Sequence, residues 1–448
     1  MAQQFCIKWM PIGIATVLHF LVDGLCVCML YLMAPRQYGA MDVTAMFLTY
    51  NVLAFMTQPF TGWWVDRLRK RHTALVVAAG FLTLAVLLQA AVAPFSYSSP
   101  LLAFASAILL GMGNSLFHVW GGKLTAMLSA NDMRALGIFV STGVLGLTLG
   151  VLYASWWMSA GMLTLIILLS CILPEVWSEE RRVKSEESEL HSGRLLLFFT
   201  LRSSLFTLLA ILIFVFLRSF VGEVAQVGID KTSQVLLLLA VTAMLGKAFG
   251  GWVARWWGIG PSIVVCLGIA AACMMWRGEE CVPLLPVVAG VFAINCTMPM
   301  TLCLANRLLP CREGLSFGLL AAVLVPGYLL AKNVPFTSDH SFMLSALLLT
   351  IAVEVGMLLF IGERRRKVLL GAVAVNILTN VPLNYFLLTY SGGTGHLIAG
   401  ELLVLVAEAV WYYFFVRQWQ KAIIYSLLCN ATSFLFGVLL QYIIIYSL

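Results

Sequence analysis

The chain has 448 residues, 61% of them hydrophobic and only 10% charged, with a formal net charge of +7. So little polar surface excludes a water-soluble globule. The positive excess does not point to nucleic acid, because in such apolar chains the placement of Lys and Arg reports orientation.

Runs of about 20 apolar residues, the length that crosses a ~30 Å hydrocarbon core, recur from end to end and predict about fifteen helical spans. The first, at 10–33, is too long for a signal h-region and lacks a clear small-residue cleavage site, so it is expected to remain. Its His19 and Asp23 are four residues apart and share one helix face. A charge at mid-bilayer costs on the order of 2.5–3.5 kcal/mol on insertion scales, so Asp23 is expected to face a cavity or a partner. A carboxylate beside an imidazole suits proton uptake and release near neutral pH. The alternative is a structural pair that locks helices together.

Span two, at 43–65, holds Tyr50, Asn51, Gln58, Pro59 and Gly62. The amides either bind solute or satisfy neighbouring helices, and Pro59 removes a backbone bond and predicts a kink. Asp66-Arg67-Leu68-Arg69-Lys70-Arg71 follows at the helix end. Spans three to six lie near 73–93, 100–122, 135–154 and 157–174, and span four carries Gly111, Gly113, Asn114, Ser115 and His118. His118 is either a satisfied structural donor or a member of the same cavity as His19 and Asp23.

The stretch Glu175 to Arg194, with six Glu, three Arg, one Lys and four Ser, reads as a solvated linker. Spans seven to twelve are expected near 198–220, 232–254, 260–276, 283–306, 314–332 and 341–361. Within them Gly250-Gly251-Trp252-Val253-Ala254-Arg255 repeats Gly62-Trp63-Trp64-Val65-Asp66-Arg67, with Gly250 standing 188 residues after Gly62. Met244 matches Met56, Asn295 holds the place of Asn114, and Arg312 with Phe317 parallels Arg134 with Phe139. Such a repeat predicts a duplicated six-helix domain. Lys247 in span eight either snorkels to the interface or faces the cavity and attracts an anionic group.

Three further spans, near 368–390, 396–416 and 422–447, follow the basic run Arg364 to Lys367. Their Glu401 and Glu408, with Asn376 and Asn380, read as polar glue or as the lining of a second path. With a cytoplasmic N-terminus, all but six of the 27 Lys and Arg fall on the cytoplasmic side, the six being Arg36, Arg218, Lys231, Lys247, Arg277 and Lys332. The odd span count then places the C-terminus outside. The eleven Cys are scattered without paired spacing, so neither a disulfide nor a metal site is expected.

The turn after span two resembles the loop between helices two and three of the major facilitator superfamily, G-x-x-x-D-R-x-G-R followed by Arg or Lys, with Arg69 in place of the turn glycine. That resemblance implies a conformational latch made by Gly62, Asp66, Arg67 and Arg71. Within the superfamily the chain is similar to the fosmidomycin-resistance type of bacterial drug efflux carriers. His19, Leu21 and Asp23 match its H-x-L-x-D. Tyr50, Ala54, Gln58, Pro59, Gly62, Trp64 and Asp66 match its second-helix pattern. Gly111, Gly113, Ser115, Phe117 and His118 match its fourth, with Val119 in place of the family proline.

The expected fold is therefore an all-α polytopic membrane protein. It comprises a bundle at 1–174, a linker at 175–194, a second bundle at 195–362 and an appended three-helix segment at 363–448. The expected function is proton-coupled export of a small organic solute or drug. Asp23, His19 and His118 would carry the proton, and Tyr50, Asn51, Gln58, Asn114, Asn295 and Lys247 would line the cavity. Proton-coupled uptake and a non-transporting sensor or scaffold are the rival readings. No nucleophile, carboxylate pair or metal cluster gathered at one interface suggests an enzyme, and no cofactor is expected. The partners are the solute, protons and lipid. A monomer in the bacterial inner membrane is expected.

Overall fold

The computed structural model describes residues 7–34, 40–68, 72–92, 100–178, 197–224, 226, 229–275, 284–333, 338–389 and 394–447. Among these residues the fold is entirely helical, as a lipid environment requires of any spanning backbone that is not a closed barrel. The helices are α1 (Trp9–Met33), α2 (Ala40–Asn51), α3 (Gln58–Arg67), α4 (Thr73–Val92), α5 (Pro100–Leu128), α6 (Met133–Ser141), α7 (Gly143–Leu152), α8 (Trp156–Ser178), α9 (Leu197–Val224) and α10 (Ser233–Trp257). They continue as α11 (Ile259–Met275), α12 (Leu284–Cys296), α13 (Met298–Leu308), α14 (Glu313–Ala322), α15 (Leu324–Asn333), α16 (Ser338–Phe360), α17 (Arg366–Thr389), α18 (Thr394–Val416) and α19 (Trp419–Ser447).

Ten described segments are long and apolar enough to cross a membrane. Large side chains such as Trp157 and Phe360, 90% and 86% exposed, would be costly in water and suit a lipid-facing surface. The chain is a multi-pass membrane protein.

Several expected spans are broken rather than continuous. The second passes from α2 through a π-helical stretch, Val52–Met56, into α3 with a proline in its first turn. Pro59 has no N–H to continue the helical ladder, so the strain is absorbed upstream as a wider turn. The fifth is interrupted at Thr142, whose hydroxyl donates to the Thr16 carbonyl at 2.7 Å.

Two compact units emerge. The first contains residues 1–194, 230–252 and 298–327, and the second 195–229, 253–297 and 328–448. In the first, α1 packs against α5, α7 and α8, α3 against α14, and α6 against α13. In the second, α11 packs on α16, while α16 to α19 pack on one another. The expected linker is only partly described, since α8 runs on to Ser178 and 179–194 lie outside the described residues.

Candidate functional site

Inside the first unit, α1 brings His19 and Asp23 to one face, both 5% exposed, and α5 supplies His118 and the fully buried Asn114. His19 Nε2 lies 3.3 Å from Asp23 Oδ2, and His118 Nε2 lies 3.4 Å from Asp23 Oδ1. The two Nε2 atoms are 2.8 Å apart. Their other ring nitrogens face backbone carbonyls, His19 Nδ1 at 2.7 Å from Phe139 O and His118 Nδ1 at 3.1 Å from Asn114 O.

A carbonyl oxygen only accepts, so each Nδ1 carries a hydrogen. Both Nε2 atoms of neutral rings would then present lone pairs to each other and to the carboxylate. The contact closes when one small cation lies among the three groups, whose candidate donor atoms all fall within 4.8 Å of one another.

Asn114 Nδ2 donates to Asp23 Oδ1 and to the Tyr50 hydroxyl, each at 3.0 Å, which ties α2 to the cluster. Asn114 Oδ1 is buried and has no hydrogen-bond partner. The Phe139 ring stacks on His19 at 4.9 Å between centroids. Gly143 of α7 closes the site: a Cβ there would overlap Asp23 Oδ2 and, at 2.5 Å, His19 Nε2. The break at Thr142 therefore presents a residue with no side chain where the cluster needs room.

Of the residues expected to line a cavity, Tyr50 and Asn114 join this cluster. Asn51, Gln58 and Asn295 each donate to the carbonyl four residues back, Phe47 O, Ala54 O and Val291 O, at 2.8 Å. Back-bonding of this kind uses one of the two hydrogens of an amide. Lys247 is half-buried on α10, and its carbonyl abuts Gly137 of α6 at the distance a Cβ would need.

At the far end of α3, Gly62 lies against the backbone of Gly314, so close that a Cβ would overlap it. Asp66 accepts from Gly314 N at 3.0 Å and Leu315 N at 2.9 Å, and pairs with Lys123 Nζ at 3.2 Å. Arg67 does not join this network through its charge; its guanidinium stacks on Trp63, 3.2 Å from the ring centroid. Arg71 lies outside the described residues. Lys123 escaped the sequence reading because an end-of-span lysine looks like any other orientation charge.

Ionisable groups gathered in the protein interior of a multi-pass helical fold point to the class of membrane transport proteins. The Major Facilitator Superfamily profile matches residues 12–313, and the chain belongs to that family. No curated protein sequence matches it significantly. Among solved structures it is similar to the E. coli fucose:proton symporter, at 12% identity and a TM-score of 0.55, over 83% of this chain and 98% of that one. It is also similar to a bacterial homologue of the iron transporter ferroportin in an outward-facing state, at 15% identity and a TM-score of 0.53, with the same coverage of each chain. At such identities the likeness concerns the fold.

Proposed function

We propose that this chain is a proton-coupled secondary transporter that exports a small organic solute by alternating access, with Asp23, His19 and His118 as its proton site. The observation that carries this reading is the 2.8 Å approach of two Nε2 atoms whose Nδ1 partners are both carbonyls. One added proton turns that approach from lone-pair repulsion into a charge-assisted hydrogen bond, with Asp23 as counter-charge. Its departure leaves three acceptors facing one another, which favours separation of α1 from α5. Proton binding and helix movement are thereby linked, as coupling requires.

The latch reading rests on the Asp66 contacts to the first turn of α14. Asp66, helped by Lys123 and by close approach at Gly62, would hold one conformation and release it when α3 and α14 part. Two six-helix bundles at 1–174 and 195–362, an appended segment at 363–448 and fifteen spans in all complete the proposed layout. A cytoplasmic N-terminus in a bacterial inner membrane is supported by the distribution of Lys and Arg.

The test is solute-dependent proton movement. Protein in liposomes loaded with a pH-sensitive dye is challenged with a panel of amphiphilic drugs, fosmidomycin included. At least one compound is expected to move protons out of step with protein-free vesicles. No proton movement with any compound, in protein that binds one of them, would remove the proton from the mechanism.

A further inference from the structure

The second unit contains a polar cluster that the transport reading leaves unused. Glu354 of α16 and Glu408 of α18 are both 0% exposed. Asn376 Nδ2 donates to Glu354 Oε2 at 2.6 Å, and Ser433 Oγ lies 3.1 Å from Glu354 Oε1. Asn430 Nδ2 donates to Glu408 Oε2 at 2.5 Å, and Thr379 Oγ1 lies 3.3 Å from Glu408 Oε1. The two carboxylates are stitched together by neighbouring turns, since Asn376 and Thr379 share α17 while Asn430 and Ser433 share α19.

The hydrogens do not suffice for two free carboxylates. A hydroxyl has one, and each of these has a rival acceptor: Ser433 Oγ is 3.1 Å from Asn430 O, and Thr379 Oγ1 is 2.8 Å from Val375 O. Among the described residues no cationic side chain pairs with either glutamate. The titratable groups facing the pair are Glu401 and Tyr412 of α18 and Cys429 of α19, and none of them brings a positive charge. Among the described residues, α17 contributes the amides of Asn376 and Asn380 and the Thr379 hydroxyl.

An independent sign of a missing occupant is the Tyr412 hydroxyl. Tyr412 is 0% exposed, stands one turn beyond Glu408 on the same face, and its oxygen has the weakly bonding Cys429 thiol beside it but no oxygen or nitrogen partner. A buried hydroxyl with no oxygen or nitrogen partner, close to two buried carboxylates, is a group that one oxygen-bonding cation would satisfy. We propose that α16 to α19 enclose a second cation site, with Glu354, Glu408 and the Tyr412 hydroxyl as donors, that takes a small monovalent cation, a sodium ion or a proton. The all-oxygen donor set suits a hard cation. Divalent ions are disfavoured because Asn376 and Asn430 turn N–H rather than oxygen toward the carboxylates, and six or more oxygens are not at hand. The site is separate from the His19 cluster and does not depend on it.

The experiment uses full-length protein in detergent, and because every variant keeps His19, Asp23 and His118, titration of the first cluster cancels from the comparison. Its melting midpoint is followed in two arms against the same protein with Glu354→Gln and Glu408→Gln added. In the first arm NaCl replaces choline chloride at constant ionic strength and pH 8. In the second, pH falls from 8 to 6 in choline chloride. Ligand linkage predicts, in one arm, a saturable rise of about 2–4 °C for the protein that keeps its glutamates beyond the response of the protein in which both are Gln. A rise with sodium identifies the ion as sodium, and a rise only with acid identifies it as a proton. Tyr412→Phe, which removes one oxygen and keeps the ring, is expected to weaken the response and serves if the double variant does not fold. Equal responses with and without the glutamate or tyrosine changes overturn the proposal.

Discussion

Gly62 and Gly251 each let a helix press on the first turn of another, Gly62 on Gly314 of α14 and Gly251 on Met133 of α6. The two helix starts are capped in different ways. α6 opens with Asp132, whose Oδ1 accepts from Arg134 N at 2.8 Å while both carboxylate oxygens pair with the Arg134 guanidinium. α14 opens at Arg312 without a side-chain cap, and its Gly314 and Leu315 N–H groups go to Asp66 of α3. The second copy, with Ala254 at the place of Asp66 in the sequence repeat, has no such acid, and the helix start that Gly251 presses on carries its own. A cap within one helix survives any rigid-body movement, whereas a cap lent by another helix breaks when the two separate. In the proposed mechanism, the inequality of the two copies is where the conformational switch would be built.

The largest expected effect comes from the two close glycine approaches. Gly62→Val drives a side chain into backbone that cannot yield, at a cost of about 1–3 kcal/mol or more. Transport should be lost, and so should cross-linking between cysteines placed on α3 and α14. Gly251→Val should be as damaging to stability; a silent Gly251→Val would break the parallel.

The caps separate the copies. Removing an N-cap costs about 0.5–2 kcal/mol, or about 2- to 30-fold in an equilibrium. Asp66→Ala should shift the accessibility of a cysteine at the start of α14 by that factor, while Asp132→Ala should lower the melting midpoint and leave accessibility unchanged. If both variants changed only stability, Asp66 would be a structural cap like Asp132.

Lys123→Met removes a partly buried ion pair yet leaves Asp66 its two backbone donors, so a loss on the order of 1 kcal/mol or less is expected, read by the same accessibility assay. The smallest effect concerns Glu363, between α16 and α17. Burial opposes its charge, but the Arg365 side chain and backbone and the Tyr425 hydroxyl hold its carboxyl at about 2. A depressed carboxylate stabilises above its unfolded value and loses that contribution only as pH falls through the folded one. Thermal melts of wild type and Glu363→Gln should therefore differ by a constant amount between pH 8 and 5 and converge only toward pH 2.

How much of this was legible in the sequence varies with the kind of contact. The apolar runs and the i, i+4 pairing of His19 with Asp23 are local, and the helices and that shared face follow directly. His118 was readable as a candidate, and its approach to His19 needed the packing of α1 on α5. The Phe139 carbonyl and the space left by Gly143 are tertiary features with no residue-type signal. Asn51, Gln58 and Asn295 read as cavity amides, and that each gives one N–H to the carbonyl four residues back is a choice composition does not reveal. Asp132 passed unnoticed because an acid before a helix is ordinary, and its importance appears only beside the uncapped start of α14.

In the proposed mechanism the cluster of Asp23, His19 and His118 couples proton to solute. Its most direct test compares two modes of transport by Asp23→Asn in liposomes, using whichever compound moves protons in the wild type. Solute exchange needs no net proton movement, whereas accumulation against a gradient does. Asp23→Asn is expected to keep exchange within a few-fold of wild type and to lose accumulation driven by an imposed pH gradient. Full gradient-driven accumulation by that variant would contradict the account.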